Sequence, residues 1–283
     1  MKNFLKLSLF SLVIIAVLSV VVFKAADFKE ARVYFFNIGQ GDGFLLRFPE
    51  GFNVLVDGGP DNSLLPKLGQ TLPFYDKTID LMILTHPHAD HVLGLVEVLR
   101  RYKVKAVLAN GILYGTSDYS AWLKEIQNHH IPFYAAAAGQ HYVFGNADFE
   151  VLFPVKSLLL TEPEDINATS VVAQLHYKNT EALLMGDLET KGEAELVRLF
   201  GSELQSELLK VGHHGSDTAS AQDFLDLVKP VYAIIQVGRD NHLGLPSFRV
   251  IARLTRLKTR IFRNDFSGDI VFFFKNGHWQ PDQ

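Results

Sequence analysis

The chain alternates between short apolar runs of strand length and longer segments in which apolar residues recur with helical spacing. In the first half, strands are predicted in "ARVYFF", "GFLLRF", "FNVLV" and "IDLMILT", and helices in "HVLGLVEVLRRY" and "YSAWLKEIQNHH". The run "IDLMILT" lacks polar alternation, which is typical of a strand buried on both faces. Residues 60–78 contain three prolines and are predicted to form a loop.

The second half repeats this order, with strands first and helices after them. Strands are predicted in "DFEVLFP", "SVVAQLHY" and "TEALLMGD", and alternating helices and strands then lead to a closing hairpin in "DIVFFFKNGHWQ". We therefore predict an α/β (α+β) fold, a four-layer αββα sandwich in which two mixed sheets pack face to face with helices outside.

An uncharged segment precedes the first predicted strand. Residues 7–23 carry no charge and follow Lys2 and Lys6. As a helix they would cover about 26 Å, which is close to the roughly 30 Å thickness of a hydrocarbon core. Residues 4–25 are therefore expected to contact the membrane, with the N-terminal lysines on the cytoplasmic side.

This segment could instead be a signal peptide, but its end does not suit cleavage. The candidate −3 positions are Phe23 and Lys24, where signal peptidase requires a small residue. We therefore expect a retained transmembrane anchor over residues 1–26 and a domain over residues 27–283 outside the cell membrane. A chain secreted after cleavage is the alternative.

Composition narrows the chemistry that the domain can carry. The 283 residues are 48% hydrophobic, which excludes a disordered protein, and the formal net charge is −4. Binding of a polyanion would thus need a local basic patch. The chain has no cysteine, so histidines and carboxylates are the strong metal ligands available to it.

Four potential ligands crowd into "LTHPHADH", on the predicted loop from a strand to a helix. They are His86, His88, Asp90 and His91. A polar loop with coincidental histidines is the alternative, but this spacing at a strand end favours ligands aimed at one point. Zn or Mn accepts such a mixture of nitrogen and oxygen donors.

Two further sites follow apolar strands. Asp187 ends "LLMGD", and His213 and His214 follow "LLKVG". Each alone is weak evidence, since an aspartate after a strand is more often a turn residue. Together with the first cluster they predict a centre of two divalent metal ions between two sheets. One of the paired histidines would be a ligand and the other would contact substrate.

These segments, taken in order, resemble the metallo-β-lactamase fold superfamily. More narrowly, residues 33–274 resemble the extracytoplasmic domain of the DNA-uptake competence protein ComEC and its free-standing relatives. The motifs that carry the resemblance are "FFNIGQGDGFLLRFPEG", "LVDGG", "LTHPHADHVLGL", "NATSVVAQL", "LLMGDLE", "LLKVGHHGS" and "NDFSGDI". The competence protein also has a many-helix membrane channel, whereas this chain has one possible span.

The resemblance implies a ligand set. His86 and His88 would hold one metal, Asp90 and His91 the other, Asp187 would bridge them, and His213 or His214 would complete the second site. Many enzymes with this fold have one more histidine, and the matching strand here offers Asn167 and Ser170 in "NATS", as in the competence-type group. We expect these two residues to contact substrate and the first metal to have fewer ligands.

Two aspartates in glycine-rich turns could support the cluster. Asp57, in "LVDGG", is either a carboxylate that orients a ligand or a plain turn residue. The turn "IGQGDG" is not followed by a predicted helix, so it does not fit a phosphate-binding loop. It is expected to be a tight turn that brings Asp42 near the site.

One basic row stands out in "SFRVIARLTRLKTRIFR". Arg249, Arg253 and Arg256 recur at steps of four and three, and on a helix starting at Ser247 they form a stripe opposite an apolar one. The row could follow the phosphates of DNA as a substrate-binding surface, or it could be a solvated outer face. Few aromatic residues interleave with it, so it does not predict base stacking.

The leading functional hypothesis is a membrane-anchored metallohydrolase, a phosphodiesterase or nuclease that acts on DNA. Asp187 would orient the attacking hydroxide, Asp90 would accept its proton, and His214 or its neighbour would stabilise charge on the substrate. One alternative is a small-molecule esterase, such as a phosphocholine esterase or lactonase. Another is an anchored DNA-uptake accessory protein without catalysis. The sequence indicates no protein partner.

Overall fold

The computed structural model describes Phe10 and residues 29–282. The predicted anchor over residues 1–26 lies outside the described residues, apart from Phe10. In the part of the chain that is described, no helix has the length and apolar character needed to cross a membrane.

Strands and helices are numbered in chain order. The strands are β1 Arg32–Phe35, β2 Phe44–Arg47, β3 Asn53–Val56, β4 Thr78–Ile79, β5 Leu81–Leu84, β6 Lys103–Val104, β7 Val107–Ala109, β8 Phe133–Ala135, β9 His141–Phe144, β10 Ala147–Phe153, β11 Val172–Tyr177, β12 Thr180–Leu184, β13 Leu208–Lys210, β14 Tyr232–Ile235, β15 Arg260–Arg263, β16 Ile270–Lys275 and β17 His278–Pro281. The α-helices are α1 Leu64–Thr71, α2 Ala89–Arg101, α3 Ser117–Asn128, α4 Thr190–Phe200, α5 Gln222–Val228, α6 Phe248–Arg256 and α7 Asn264–Ser267.

Both large sheets are mixed, as predicted. The first has the order β17-β16-β1-β2-β3-β5-β7-β8, antiparallel from β17 to β3 and parallel from β3 to β8. The second has the order β15-β14-β13-β12-β11-β10-β9, parallel from β15 to β12 and antiparallel from β12 to β9. The closing hairpin returns to the first sheet beside β1, and β4 and β6 form a separate small pair.

Three buried clusters separate four layers. Between the sheets, side chains such as Phe35 and Phe44 of the first sheet join Phe149 and Leu208 of the second. Alternate residues of the first sheet pack outward against α1, α2 and α3. The outer face of the second sheet packs in the same way against α4, α5 and α6. The αββα arrangement follows from this alternation, since each sheet is apolar on both faces.

The predicted loop over residues 60–78 is wrong in part, because it contains α1. Pro66 favoured the prediction of a loop, but it is the third residue of that helix. In the first turn of a helix the backbone N–H groups have no partner within the helix, so a proline costs little there. Leu64 and Leu68 are buried on one side of α1, which explains why the helix forms.

The parallel strands of both sheets end at one edge of the sandwich, and the loops that follow them meet there. Side-chain amides tie the two sheets together at this edge. The amide of Gln236, which follows β14, donates to the carbonyls of Phe36 and Gly43 at 3.1 and 3.0 Å. The amide of Asn264 donates to the carbonyl of Phe35 at 3.1 Å. The loops at this edge therefore have fixed positions relative to each other.

Candidate metal centre

The predicted ligands converge at this edge. His86 follows β5 and His91 lies in the first turn of α2, and both are fully buried. Asp187 follows β12 and is 3% exposed, and His214 follows β13 and is 2% exposed. Residues more than a hundred positions apart in the chain thus meet in one buried cluster.

Asp187 lies at the centre of the cluster. Its Oδ2 atom is 3.3 Å from Nε2 of His91, 3.3 Å from Nε2 of His214 and 3.9 Å from Nε2 of His86. Oδ2 of Asp90 is 3.3 Å from Nε2 of His214 and 3.9 Å from Nε2 of His91. The residues therefore form two overlapping groups that could each hold an ion: His86 with His91 and Asp187, and Asp90 with His91 and His214.

The paired histidines have different surroundings. Nε2 of His214 faces Asp90 and Asp187, as described above. His213 points away from them: its Nδ1 is 3.0 Å from Oε1 of Glu189, and its Nε2 is 3.4 Å from the amide nitrogen of Asn167. Both have left-handed backbone conformations, with φ of 46° and 51°. This strained turn directs consecutive imidazoles to different places.

His88 lies at the margin of the cluster. It is half-buried, and its Nδ1 atom is 3.0 Å from Nε2 of His86. The structure thus brings His88 beside the first group of ligands but closer to His86 than to Asp187 or His91.

Hydrogen bonds fix which nitrogen of each imidazole faces the cluster. Nδ1 of His214 is 2.9 Å from the carbonyl oxygen of Gln236, which can only accept, so this nitrogen carries the hydrogen. Nδ1 of His91 likewise donates to Oδ2 of Asp57 at 2.8 Å. In the neutral rings, Nε2 therefore presents a lone pair toward the oxygens of Asp90 and Asp187.

This arrangement fits divalent cations. Nε2 of His91, Nε2 of His214 and Oδ1 of Asp187 are buried and have no hydrogen-bond partner among the described residues. Lone pairs that face carboxylate oxygens at 3.3 Å repel each other unless positive charge lies between them. Imidazole nitrogens and carboxylate oxygens are the donors that Zn²⁺ and Mn²⁺ accept, so the residues present suit such ions.

The pKa shifts of the cluster reflect the same demand for positive charge. Burial disfavours the charged form of His214, yet Asp187 and Asp42 outweigh burial and raise its pKa well above the usual value. Burial likewise opposes ionisation of Asp187, but His214 and His91 lower its pKa well below the usual value. Four buried or half-buried carboxylates surround these rings, and protons or metal ions must balance them.

Asp57 holds His91 and Thr85 in place beside the cluster. It is fully buried, and its carboxylate accepts hydrogen bonds from the backbone N–H of Thr85 at 2.8 Å, from the hydroxyl of Thr85 at 2.7 Å and from His91. Of the two readings of Asp57, the geometry fits the carboxylate that orients a ligand.

The glycine-rich turn lies against the first turn of α2. The backbone N–H of Asp42 donates to the carbonyl of Asp90 at 3.2 Å. Gly41 has a φ of +139°, and a Cβ there would lie 2.2 Å from that same carbonyl oxygen. The glycine is therefore required by close approach to Asp90, and the turn places Asp42 beside His214, as expected.

Sequence reasoning missed Lys210. This residue ends β13, is fully buried and forms an ion pair with Asp42. The signal was present, because a lysine in the otherwise apolar run "LLKVG" needs a buried partner.

Asn167 and Ser170 contact different residues of the site. Ser170 is fully buried, and its Oγ atom accepts a hydrogen bond from the backbone N–H of Asp187 at 3.1 Å. Asn167 is half-buried beside His213. Ser170 thus fixes the backbone at Asp187, whereas Asn167 lies where a substrate could reach it.

The arginine row lies on α6, which begins after Ser247 as predicted. Arg249 forms an exposed ion pair with Asp217 at 3.1 Å, Arg253 donates to the carbonyl of Ser220 at 2.9 Å, and Arg256 donates to the side chain of Gln222 at 3.1 Å. The Arg249 end of α6 adjoins the site, because the N–H of Ser247 donates to the carbonyl of Gly215 at 2.8 Å.

Comparison with known proteins agrees with the motifs and the fold. Residues 37–239 match the family model of the metallo-beta-lactamase superfamily. The chain is 29% identical over 266 residues to ComE operon protein 3 of Bacillus subtilis, covering 88% of this chain and 34% of that protein. It is 29% identical over 261 residues to competence protein ComA of Neisseria gonorrhoeae, covering 90% of this chain and 34% of that protein.

The fold also matches a solved structure. The metallo-beta-lactamase fold protein YhfI from Bacillus subtilis superposes with a TM-score of 0.57 at 14% identity, covering 86% of this chain and 100% of that one. The curated relatives confirm the resemblance to ComEC-type competence proteins, and the chain spans about a third of their length. The chain belongs to the metallo-β-lactamase superfamily.

Proposed function

We propose that the chain is a metallohydrolase that uses two divalent ions, Zn or Mn, to cleave phosphodiester bonds of DNA. One observation carries the proposal. Nε2 of His91 and Nε2 of His214 each lie 3.3 Å from Oδ2 of Asp187, and neither nitrogen has a hydrogen-bond partner among the described residues. A divalent ion between these atoms would supply the positive charge that the neutral imidazoles and the carboxylate require.

The proposed ligands divide between two ions. His86, with His88 beside it, would hold the first ion, and Asp90, His91 and His214 the second. Asp187 would contact both ions. Bound there, the two ions would make a water molecule nucleophilic at neutral pH and would stabilise negative charge on a phosphate.

Proton transfer, orientation of the water and contact with the phosphate are assigned to side chains of the site. The side chain of Asp90 is 33% exposed, so this carboxylate would accept the proton of the attacking water. Asp187 would orient that water. His213, with 26% of its side chain exposed, would contact a phosphate oxygen together with Asn167.

DNA is the proposed substrate because of the relatives and the basic row. The name of one relative, competence protein ComA, refers to competence, and the motifs resemble those of the DNA-uptake protein ComEC. The arginines of α6 begin beside Gly215, next to the paired histidines. Phe248, at the start of the same helix, is 84% exposed and offers a ring on which a base could stack.

We also propose that residues 4–25 hold the chain at the cell membrane with the domain 27–283 outside. The uncharged run over residues 7–23 supports this location.

The proposal is tested by metal analysis and DNA cleavage with the purified full chain in detergent. We expect about two Zn or Mn ions per chain, and cleavage of single- or double-stranded DNA that stops on chelation. The double variant Asp90→Ala, His91→Ala should lose metal and activity by a factor of about 100 or more. His141→Gln, a change to an exposed histidine in β9, is the matched control and should retain both. Substantial cleavage by the double variant would rule out this mechanism.

A small-molecule esterase is the second candidate, and one observation favours it. Each arginine of the row already bonds to a group of the chain itself, namely Asp217, Ser220 or Gln222. Rapid metal-dependent turnover of a soluble phosphodiester or lactone, with no cleavage of DNA, would favour this reading. A chain that binds no metal would indicate the non-catalytic accessory protein.

A further inference from the structure

A buried lysine, Lys210, is connected to the candidate metal centre through one intervening residue, Asp42. Lys210 and Asp42 are both fully buried and form an ion pair, and the ammonium of Lys210 also donates to the carbonyl of Val211 at 2.9 Å. A buried ion left without its partner is strongly destabilising, so each of these two charges depends on the other.

Asp42 joins this lysine to His214. Its Oδ2 atom contacts Lys210, while its Oδ1 atom lies 3.2 Å from Nδ1 of His214. The same Nδ1 atom is 2.9 Å from the carbonyl oxygen of Gln236. Two acceptors on one side of the ring therefore direct Nε2 toward the metal centre on the other side.

Asp42 could also bind an ion itself. Its carboxylate lies near enough to Asp187 and His214 for all three to surround one cation. The ammonium of Lys210 already supplies positive charge to this carboxylate, on the oxygen that His214 does not contact. A metal ion drawn to Asp42 would have to compete with a cation that is part of the fold.

We infer that Lys210 is a positioning residue of the metal centre: it holds the carboxylate of Asp42 against Nδ1 of His214 and keeps that carboxylate out of the metal coordination. The inference rests on the proposed function. It adds that the affinity of the second ion depends on a lysine that does not touch the ion, and that this dependence runs through Asp42.

The experiment measures binding of Co²⁺ to the full chain by the visible absorption of the bound ion. Lys210→Met preserves the length of the side chain without its charge and should weaken Co²⁺ binding by about 10–100-fold, the usual effect of losing a residue that orients a ligand. Asp42→Asn should weaken binding by a similar factor. In the Asp42→Asn background, Lys210→Met should change the affinity by less than about twofold, because a residue that acts through Asp42 has nothing left to act on.

Glu193→Gln is the matched control. Glu193, in α4, is another buried ionisable residue, and within the part of the chain that the structure describes its carboxyl group accepts hydrogen bonds from backbone N–H groups near α5. This variant should bind Co²⁺ as the wild type does, which separates an effect on the metal centre from the general effect of changing a buried ionisable residue. Folding of each variant is checked by circular dichroism.

Four results would overturn the inference. Unchanged Co²⁺ affinity in Lys210→Met would remove it while leaving the proposed function intact, and so would effects of Lys210→Met and Asp42→Asn that simply add. If the wild type bound no Co²⁺, the inference and the proposed function would fall together. Should Lys210→Met alone not fold, Asp42→Asn and the double variant must still show equal affinity, and a difference above about threefold contradicts the inference.

Discussion

Two adjacent histidines, His213 and His214, differ in what their rings face. His214 is 2% exposed and contacts Asp90 and Asp187, whereas His213 has 26% of its side chain exposed and contacts Glu189 and Asn167. Their consecutive left-handed conformations turn one ring inward and the other toward the mouth of the site. The two should therefore contribute to different steps.

His214→Ala should abolish binding of the second ion, because it removes one of the four proposed ligands of that ion, and should lower hydrolysis by a factor of about 100 or more. His213→Ala should retain the full metal content and lower hydrolysis by a smaller factor, about 10. Metal analysis and turnover measured on the same preparations check both. Loss of metal in His213→Ala with full metal in His214→Ala would contradict the assignment.

At the scale of elements, the glycine-rich turn between β1 and β2 packs closely against the first turn of α2. A Cβ on Gly41 would meet the carbonyl oxygen of Asp90 at 2.2 Å, whereas a Cβ on Gly39 would meet nothing within 4 Å. Both glycines have positive φ, of +139° and +83°. The pair therefore separates the effect of backbone strain from that of a clash at the site.

Gly41→Ala should destabilise the fold by about 2–4 kcal/mol, since strain and overpacking add, and should displace Asp90. Gly39→Ala should cost about 1 kcal/mol, the strain alone. Denaturant unfolding gives both free energies, and metal affinity should fall only in Gly41→Ala. Equal effects of the two changes on metal affinity would be inconsistent with this packing.

The contact between α4 and α5 should depend on pH. The carboxylate of Glu193 accepts hydrogen bonds from the backbone N–H groups of Ser220 and Ala221 at 2.6 and 2.8 Å, just before α5. Burial outweighs these bonds and raises the pKa of Glu193 to about 7, from the usual 4.5. Ionising Glu193 is therefore more costly in the folded chain than in the unfolded chain.

Because the folded pKa lies above the unfolded one, the contribution of Glu193 to stability is full below pH 4.5 and is lost as the pH rises through about 7. The loss amounts to roughly 3 kcal/mol. Glu193→Gln should abolish this dependence, so the variant should gain stability relative to the wild type between pH 5 and 8. Denaturant unfolding at several pH values tests this, with Glu195→Gln, whose side chain is 41% exposed, as the control. A difference that stays constant with pH would contradict the assignment.

At the scale of the whole molecule, the arginine row extends from the site along the outer layer. If it binds DNA, Arg249→Ala with Arg256→Ala should weaken DNA binding and lower the slope of log affinity against log salt by about 1–2, in line with two phosphate contacts. The control is Arg100→Ala with Arg101→Ala, two arginines in the last turn of α2. An unchanged salt slope in the first variant would remove the row from the substrate site.

Much of the architecture could be predicted from the sequence, because apolar runs bounded by glycines and polar residues mark strands that are buried on both faces. The ligand cluster was also predictable, since three histidines and an aspartate in "LTHPHADH" follow such a run. The helix α1 was not, because Pro66 reads as a loop residue unless its place in the first turn is known.

The pairing of distant residues could not be predicted from local patterns. The sequence left His213 and His214 equivalent, and only the turn between β13 and α5 distinguishes them. Lys210 and Asp42 are 168 positions apart, so their ion pair appears only when β13 and the glycine-rich turn meet. Such contacts depend on how the two sheets pack, which local periodicity does not encode.

Divalent ions are expected to lie between Asp187 and the imidazoles of His91 and His214. Anomalous X-ray scattering from crystals of the metal-loaded chain, recorded at the absorption edge of Zn or Mn, locates such ions directly. We predict two peaks, one within coordination distance of His86 and Asp187 and one within coordination distance of Asp90, His91 and His214. A structure of the metal-soaked chain with these side chains ordered and no anomalous peak among them would contradict the account.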